Sequence, residues 1–154
     1  MGTALAFAAS TSSAYAASAS ATATVEILSA LSVIKDTDMN FGSIAVNSAG
    51  TATLTPGAAL SCTSGALVCA ATGTAATYHM TGDAVTGVKV TLPASTTLTG
   101  PGAAMTLDNF ATDWVDGTTL GSDTTFAVGG TLHVNAAQLA GTYSGTFNVS
   151  VDYQ

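Results

Sequence analysis

The chain has 154 residues, enough for one hydrophobic core and short for two. Charged residues are 7% of it, against a usual share of about 25%, and nine acidic residues face two basic ones, a net charge of −7. That balance lacks the basic footprint that nucleic acid or an anionic membrane requires, and no apolar run is long enough to span a bilayer. Polarity comes instead from Ser, Thr, Asn and Gly, residues suited to strands and turns.

The N-terminus reads as a targeting segment. Ala4 to Ala9 is a short apolar run, and Ala14-Tyr15-Ala16 fits a small-x-small cleavage site. Residues 1–16 are therefore expected to be a signal peptide, with export to the periplasm and then to the cell surface or beyond. A basic segment ahead of the apolar run is missing, so either the true start lies upstream of Met1 or the chain is trimmed. Residues 17–24 follow as an extended Ala/Ser/Thr arm, and residues 25–154 as the folded domain.

Along the chain, apolar residues recur with a period of two, the signature of half-buried strands. Val25, Ile27, Leu31 and Val33 share one phase, and Thr24–Ile34 is read as a strand. Val25 and Ile27 are either anchors of a donor arm or part of the domain's own first strand; both readings stay open. After the polar turn Lys35–Asp38, Met39, Phe41, Ile44 and Val46 begin the next strand region. Thr51–Thr55 is a short strand ending at Pro56-Gly57, a turn pair. Ala76–Gly82 sets Tyr78 and Met80 on one face, and Val88, Val90 and Leu92 repeat the pattern until Pro93 stops it. Thr96 to Met105, with Gly100-Pro101-Gly102, reads as a long loop. Met105 and Leu107 open another strand, and Asp108 to Asp123 is turn-rich. Thr125–Val128 and Thr131–Val134 are strands separated by a bulge or turn at Gly129-Gly130.

Cys62 and Cys69 flank Thr-Ser-Gly-Ala-Leu-Val. A type II′ turn at Gly65-Ala66 would set the two cysteines opposite each other in a hairpin, within reach of a disulfide. Such a bridge suits an oxidising compartment; two buried thiols are the reading for a cytosolic chain.

Chemistry-bearing groups do not assemble into a site. His79 and His133 lie on different strands with no further ligand at metal-site spacing, so both read as strand residues facing solvent. Asp36 and Asp38 imitate the start of a calcium loop, but Phe41 stands where that loop needs glycine. Gly141-Thr-Tyr-Ser-Gly145 is not a nucleophile elbow. No catalytic, cofactor or metal residues are expected, and the chain does not read as an enzyme. Asp113 and Asp116 beside Trp114 could meet a sugar, although a loop with one aromatic anchor is the commoner meaning.

The clearest pattern is the last. From Gly141 to Gln154, Tyr143, Phe147, Val149, Val151 and Tyr153 alternate with Ser144, Thr146, Asn148, Ser150 and Asp152. Asn148-Val149-Ser150 within it also matches a glycosylation sequon. A glycine at this distance from the end, apolar alternation and a penultimate tyrosine resemble the C-terminal signature of chaperone–usher pilins. The longer stretch from Val134 to Tyr153 resembles the end of spore coat protein U domains, and more closely a bacterial exported domain of unknown function. Asp38-Met39-Asn40-Phe41-Gly42 resembles that family's Leu-Asn-Phe-Gly turn, with Met39 in place of leucine.

Period-two segments joined by Gly and Pro turns give the fold class: an all-β, immunoglobulin-like antiparallel sandwich, with the option of completion by a donor strand. The resemblance implies a fimbrial or pilus-type subunit that adds to other copies of itself by strand exchange, with a periplasmic chaperone and an outer-membrane usher as partners. It implies assembly roles for Val25, Ile27, Gly141, Phe147, Val149, Val151 and Tyr153. The alternative is a self-complete surface sandwich that binds carbohydrate through Trp114 and its neighbouring aspartates.

Overall fold

In a computed structural model the described residues are 16–69, 72–84, 87–121 and 124–154; the expected signal segment and its Ala14-Tyr15-Ala16 site lie outside them but for Ala16. Twelve strands and no helix occur among the described residues. The first four are β1 (Ser32–Thr37), β2 (Ile44–Val46), β3 (Gly50–Leu54) and β4 (Leu60–Cys62). Next come β5 (Leu67–Cys69), β6 (Ala76–Thr81), β7 (Gly87–Thr91) and β8 (Ser95–Leu98). The last are β9 (Met105–Thr112), β10 (Thr118–Thr119), β11 (Thr124–Val134) and β12 (Ser150–Tyr153).

All pairings are antiparallel. One sheet runs β1-β6-β11-β3-β4, with β9 also paired to β11 and β8 to β9; the others are β10-β7-β12 and β2-β5. The layers form a curled antiparallel sandwich, as the alternation predicts. β11 is its spine. It carries Phe126, Val128, Leu132 and Val134 inward and pairs with β6 and β9 as well as β3. Two apolar clusters fill the interior, one around Leu54, Leu107 and Leu132, the other around Met80, Val88 and Val128; Met39 and Phe110 touch both.

The strands differ from the sequence reading in several places: β1 runs through residues 35–37, where a turn was expected, and β9 continues to Thr112, into the stretch expected to be turn-rich. Thr24–Ile34 is not a strand over most of its length, because ladder pairing starts only at Ser32 opposite Thr81. Alternation gives a segment two faces, but a strand needs a neighbour to bond. The expected loop after Thr96 contains β8, whose Thr97↔Thr106 and Leu98↔Met105 pairs make a hairpin with β9 closed by Gly100-Pro101-Gly102. Its threonines conceal the period. The two strands around Gly129-Gly130 are one strand, and the glycines mark a bulge against β9 between Gly129 and Thr131. Finally, only Ser150–Tyr153 of the C-terminal segment forms a regular ladder, with β7; upstream, Ser144 makes an isolated bridge to Thr99.

Cys62 and Cys69 are joined, with Cα atoms 6.2 Å apart. The hairpin expected between them is absent. β4 pairs with β3 and β5 with β2, and a turn in which the amides of Ala66 and Leu67 both donate to Thr63 O (3.2 and 3.0 Å) connects them. The bridge therefore ties one sheet to another, a consequence of partners that lie elsewhere in the chain. Closing so short a loop stabilises by roughly 2–3 kcal/mol on the chain-entropy model. Thiol labelling of denatured, non-reduced protein is expected to find no free cysteine, and Cys62→Ala/Cys69→Ala to lower the unfolding free energy by about that amount in denaturant titration.

Candidate functional site: an open trough and an unpacked arm

The C-terminal segment runs beside residues 88–99. Thr99 and Ser144 exchange both backbone hydrogen bonds (2.9 and 3.0 Å), Thr96 Oγ1 donates to Thr146 O (2.6 Å), and β12 completes the run on β7. Its other flank borders an open trough. One part, about 640 Å³, lies between residues 39–46 and 138–143 over Met105, Leu132 and Val134; the next, about 400 Å³, lies between Lys35–Phe41 and Tyr143–Phe147 over Ala76, Tyr78 and Leu107. Met39, Phe41, Leu98 and Tyr143 line both, so the two are continuous.

Each wall is shaped by a short motif. On the first, Asn40 Oδ1 accepts the Gly42 amide (2.7 Å) while the Asn40 backbone exchanges bonds with Thr74 (2.8 and 2.7 Å). That turns the chain at Gly42, whose φ of +68° favours glycine, and drives Phe41 into the core. The Asp38–Gly42 motif is thus a wall-building turn. On the second wall, Gly141 has φ +147°, and a Cβ there would stand 2.5 Å from Pro101 Cγ. Next to it, Tyr143 OH donates to Leu139 O (2.9 Å) and accepts from the Gly102 amide (2.8 Å).

Charge is sparse. Lys35 pairs with Asp38 at the rim. The Tyr78 phenol in the floor is pushed above its ordinary range, first by burial and then by the Asp38 carboxylate, and stays neutral at ordinary pH.

The alternation of the last segment holds in its burial. Tyr143, Phe147, Val149, Val151 and Tyr153 are all half-buried, their even-numbered neighbours are exposed, and none of the five is fully covered. Gly141 and Phe147 line the trough, Phe147 also resting on Phe110 with ring centres 4.8 Å apart. Val149, Val151 and Tyr153 pack on the second cluster instead. From Ala16 to Ile27 the chain joins no ladder and lies exposed. Val25 is 85% and Ile27 87% exposed, the most exposed large apolar residues among those described. The sequence reading missed Leu98, Met105 and Leu132 as floor residues, because only pairing through β8, β9 and β11 brings them together.

The remaining candidates have work inside the fold. Trp114 Nε1 donates to Val88 O (3.0 Å), Asp113 accepts the Ala127 amide (2.7 Å) and Asp116 the Val90 amide (3.1 Å). His133 Nε2 lies 2.9 Å from Asp108 Oδ1, and both histidines stand half-buried on the strand face opposite the core residues beside them, the His133 side chain 45% exposed. No group of three or more potential metal ligands occurs among the described residues.

The profile of the family described as "Domain of unknown function (DUF4402)" matches residues 31–153. The chain belongs to this family. The match begins at Leu31, one residue before β1, so the DUF4402 domain takes in both walls and the floor of the trough and leaves out Val25 and Ile27. No curated protein and no solved structure matches the chain.

Proposed function

We propose that this DUF4402 protein is an exported structural subunit of a bacterial surface fimbria or pilus, assembled by strand addition: the arm of one copy, residues 17–27, lies in the trough of another. The observation that carries this reading is the coexistence in one chain of an open trough of mixed polarity, floored by apolar side chains, beside a half-buried final segment, and an arm with two bare apolar anchors. An open apolar groove with a strand flank invites an extended peptide, which gains main-chain bonds from the flank and burial from the floor. Ala19, Ala21, Ala23, Val25 and Ile27 share one face of the arm, with hydroxyls and Glu26 on the other.

The likeness of the final segment to chaperone–usher pilins and spore coat protein U domains agrees with this reading and extends it. A subunit whose trough is empty needs a placeholder before assembly, which gives a periplasmic chaperone its role and an outer-membrane usher the next. The work of such a chain is packing and pairing, not catalysis.

The test is native mass measurement of the purified wild type over a range of concentrations, with an unheated gel beside it. A ladder of multimers is expected, shortened by an excess of synthetic peptide covering residues 16–31. A monomer at every concentration that binds no peptide would overturn the reading.

A further inference from the structure

The root of the arm is held by a small polar cluster that joins three distant parts of the chain. The Ser29 amide donates to one oxygen of Asp83, and Ser29 Oγ donates to the other at 3.1 Å. Tyr153 OH donates to Ser29 O at 3.2 Å and accepts the Asp83 amide at 2.7 Å. Asp83 follows β6, and Tyr153 ends β12. The cluster is closely built around the hydroxyl: a Cβ on Gly82 would come within 2.4 Å of Tyr153 OH and 3.0 Å of Leu31 Cδ1.

The position of this cluster sets what the arm can reach. β1 runs from near Tyr153 toward the trough, and the trough's first residue on that wall is Lys35. Lys35 is six residues beyond Ser29, roughly 20 Å of extended chain, whereas Val25 is four residues before it, at most about 14 Å. Folded back from Ser29, Val25 would come no further than the level of Val33, whose side chain packs on the core with Val151. Ile27 would fall shorter still. Only the alanines of the arm could enter the chain's own trough. With Ser29 released, the pivot moves to the start of β1, and Val25 gains enough chain to reach the rim at Lys35.

We infer that Asp83 and Tyr153 clamp the arm at Ser29, so that its anchors cannot enter the trough of their own chain and are delivered to a second copy. This rests on the strand-addition reading above and assigns the penultimate tyrosine a positioning role at the opposite end of the domain from the trough. The clamp also fixes where the free arm ends, just before Ser29, a pre-organisation that favours association.

Asp83→Ala and Tyr153→Phe open the clamp from different sides; the second keeps the ring and removes only the hydroxyl. Full-length wild type and both variants are compared by circular dichroism, native mass and amide hydrogen exchange. Both variants are expected to stay folded, to exchange the Ser29 amide about tenfold faster, and to assemble roughly tenfold more slowly. Their monomer fraction should show new protection of residues 17–25. Ser29 exchange unchanged in both variants overturns the clamp, whether or not the wild type assembles. Faster exchange with wild-type assembly overturns its role in delivering the arm. A wild type that never assembles counts against strand addition itself, and the Ser29 comparison still judges the clamp separately.

Discussion

Val25→Asp and Ile27→Asp are each expected to abolish polymers while leaving the folded domain intact. Their side chains are 85% and 87% exposed, so a carboxylate there displaces no core contact and the unfolding midpoint should stay within experimental error of wild type. In the trough of another copy the same side chains would be covered, where each large apolar residue contributes roughly 1.5–3 kcal/mol. Replacing one by a carboxylate forfeits that contribution and adds the cost of drying a charge over an apolar floor. At about 1.4 kcal/mol per tenfold, association should weaken by a hundredfold or more. Native mass gives the polymer share and circular dichroism the fold. Loss of β signal in either variant would show that the arm belongs to the domain's own core, and polymers of wild-type length would show that it is not the donor.

Gly129→Ala is expected to be among the most destabilising single-methyl additions in the chain. β11 and β3 approach so closely at this bulge that a Cβ on Gly129 would stand 2.1 Å from Leu54 O and 2.7 Å from Thr55 C, both backbone atoms that cannot rotate away. Parting the strands disturbs the Gly130↔Leu54 pairing and the burial of Leu54, which is 1% exposed. A loss of about 3 kcal/mol is expected. Gly121→Ala is the control, since its nearest neighbour is Thr124 Oγ1 at 3.5 Å, an ordinary contact. It should change stability by less than about 0.5 kcal/mol. Comparable denaturant midpoints for the two would refute the close approach.

These two results bear on different halves of the molecule, and the sequence announced them unequally. Gly129-Gly130 was legible as an irregularity within an apolar run, though not as the crossing point of β3. Val25 and Ile27 were legible as an apolar pair in phase with Leu31 and Val33, and that phase is why they read equally well as domain or arm. Tyr153 kept its alternation and added a contact of its own. Its ring packs where the pattern puts it, while its hydroxyl meets Ser29 and Asp83, a meeting no spacing could foretell.

The sequence by itself determined the class of the fold, the inward and outward faces of the strands that alternation revealed, and the proximity of the two cysteines. All three follow from forces acting over a few residues: side-chain alternation on a pleated backbone and the short loop between Cys62 and Cys69. What only the tertiary structure decided is which strands share a sheet, and hence everything formed between them. Cys62 and Cys69 bridge two sheets because their strands find partners at β3 and β2. The trough exists because β9 and β11 bring Met105 and Leu132 beneath two segments, residues 39–46 and 138–143, that no local pattern connects. The arm stays bare for the same reason: its alternation supplies two faces, and among the described residues no strand pairs with it to complete a ladder.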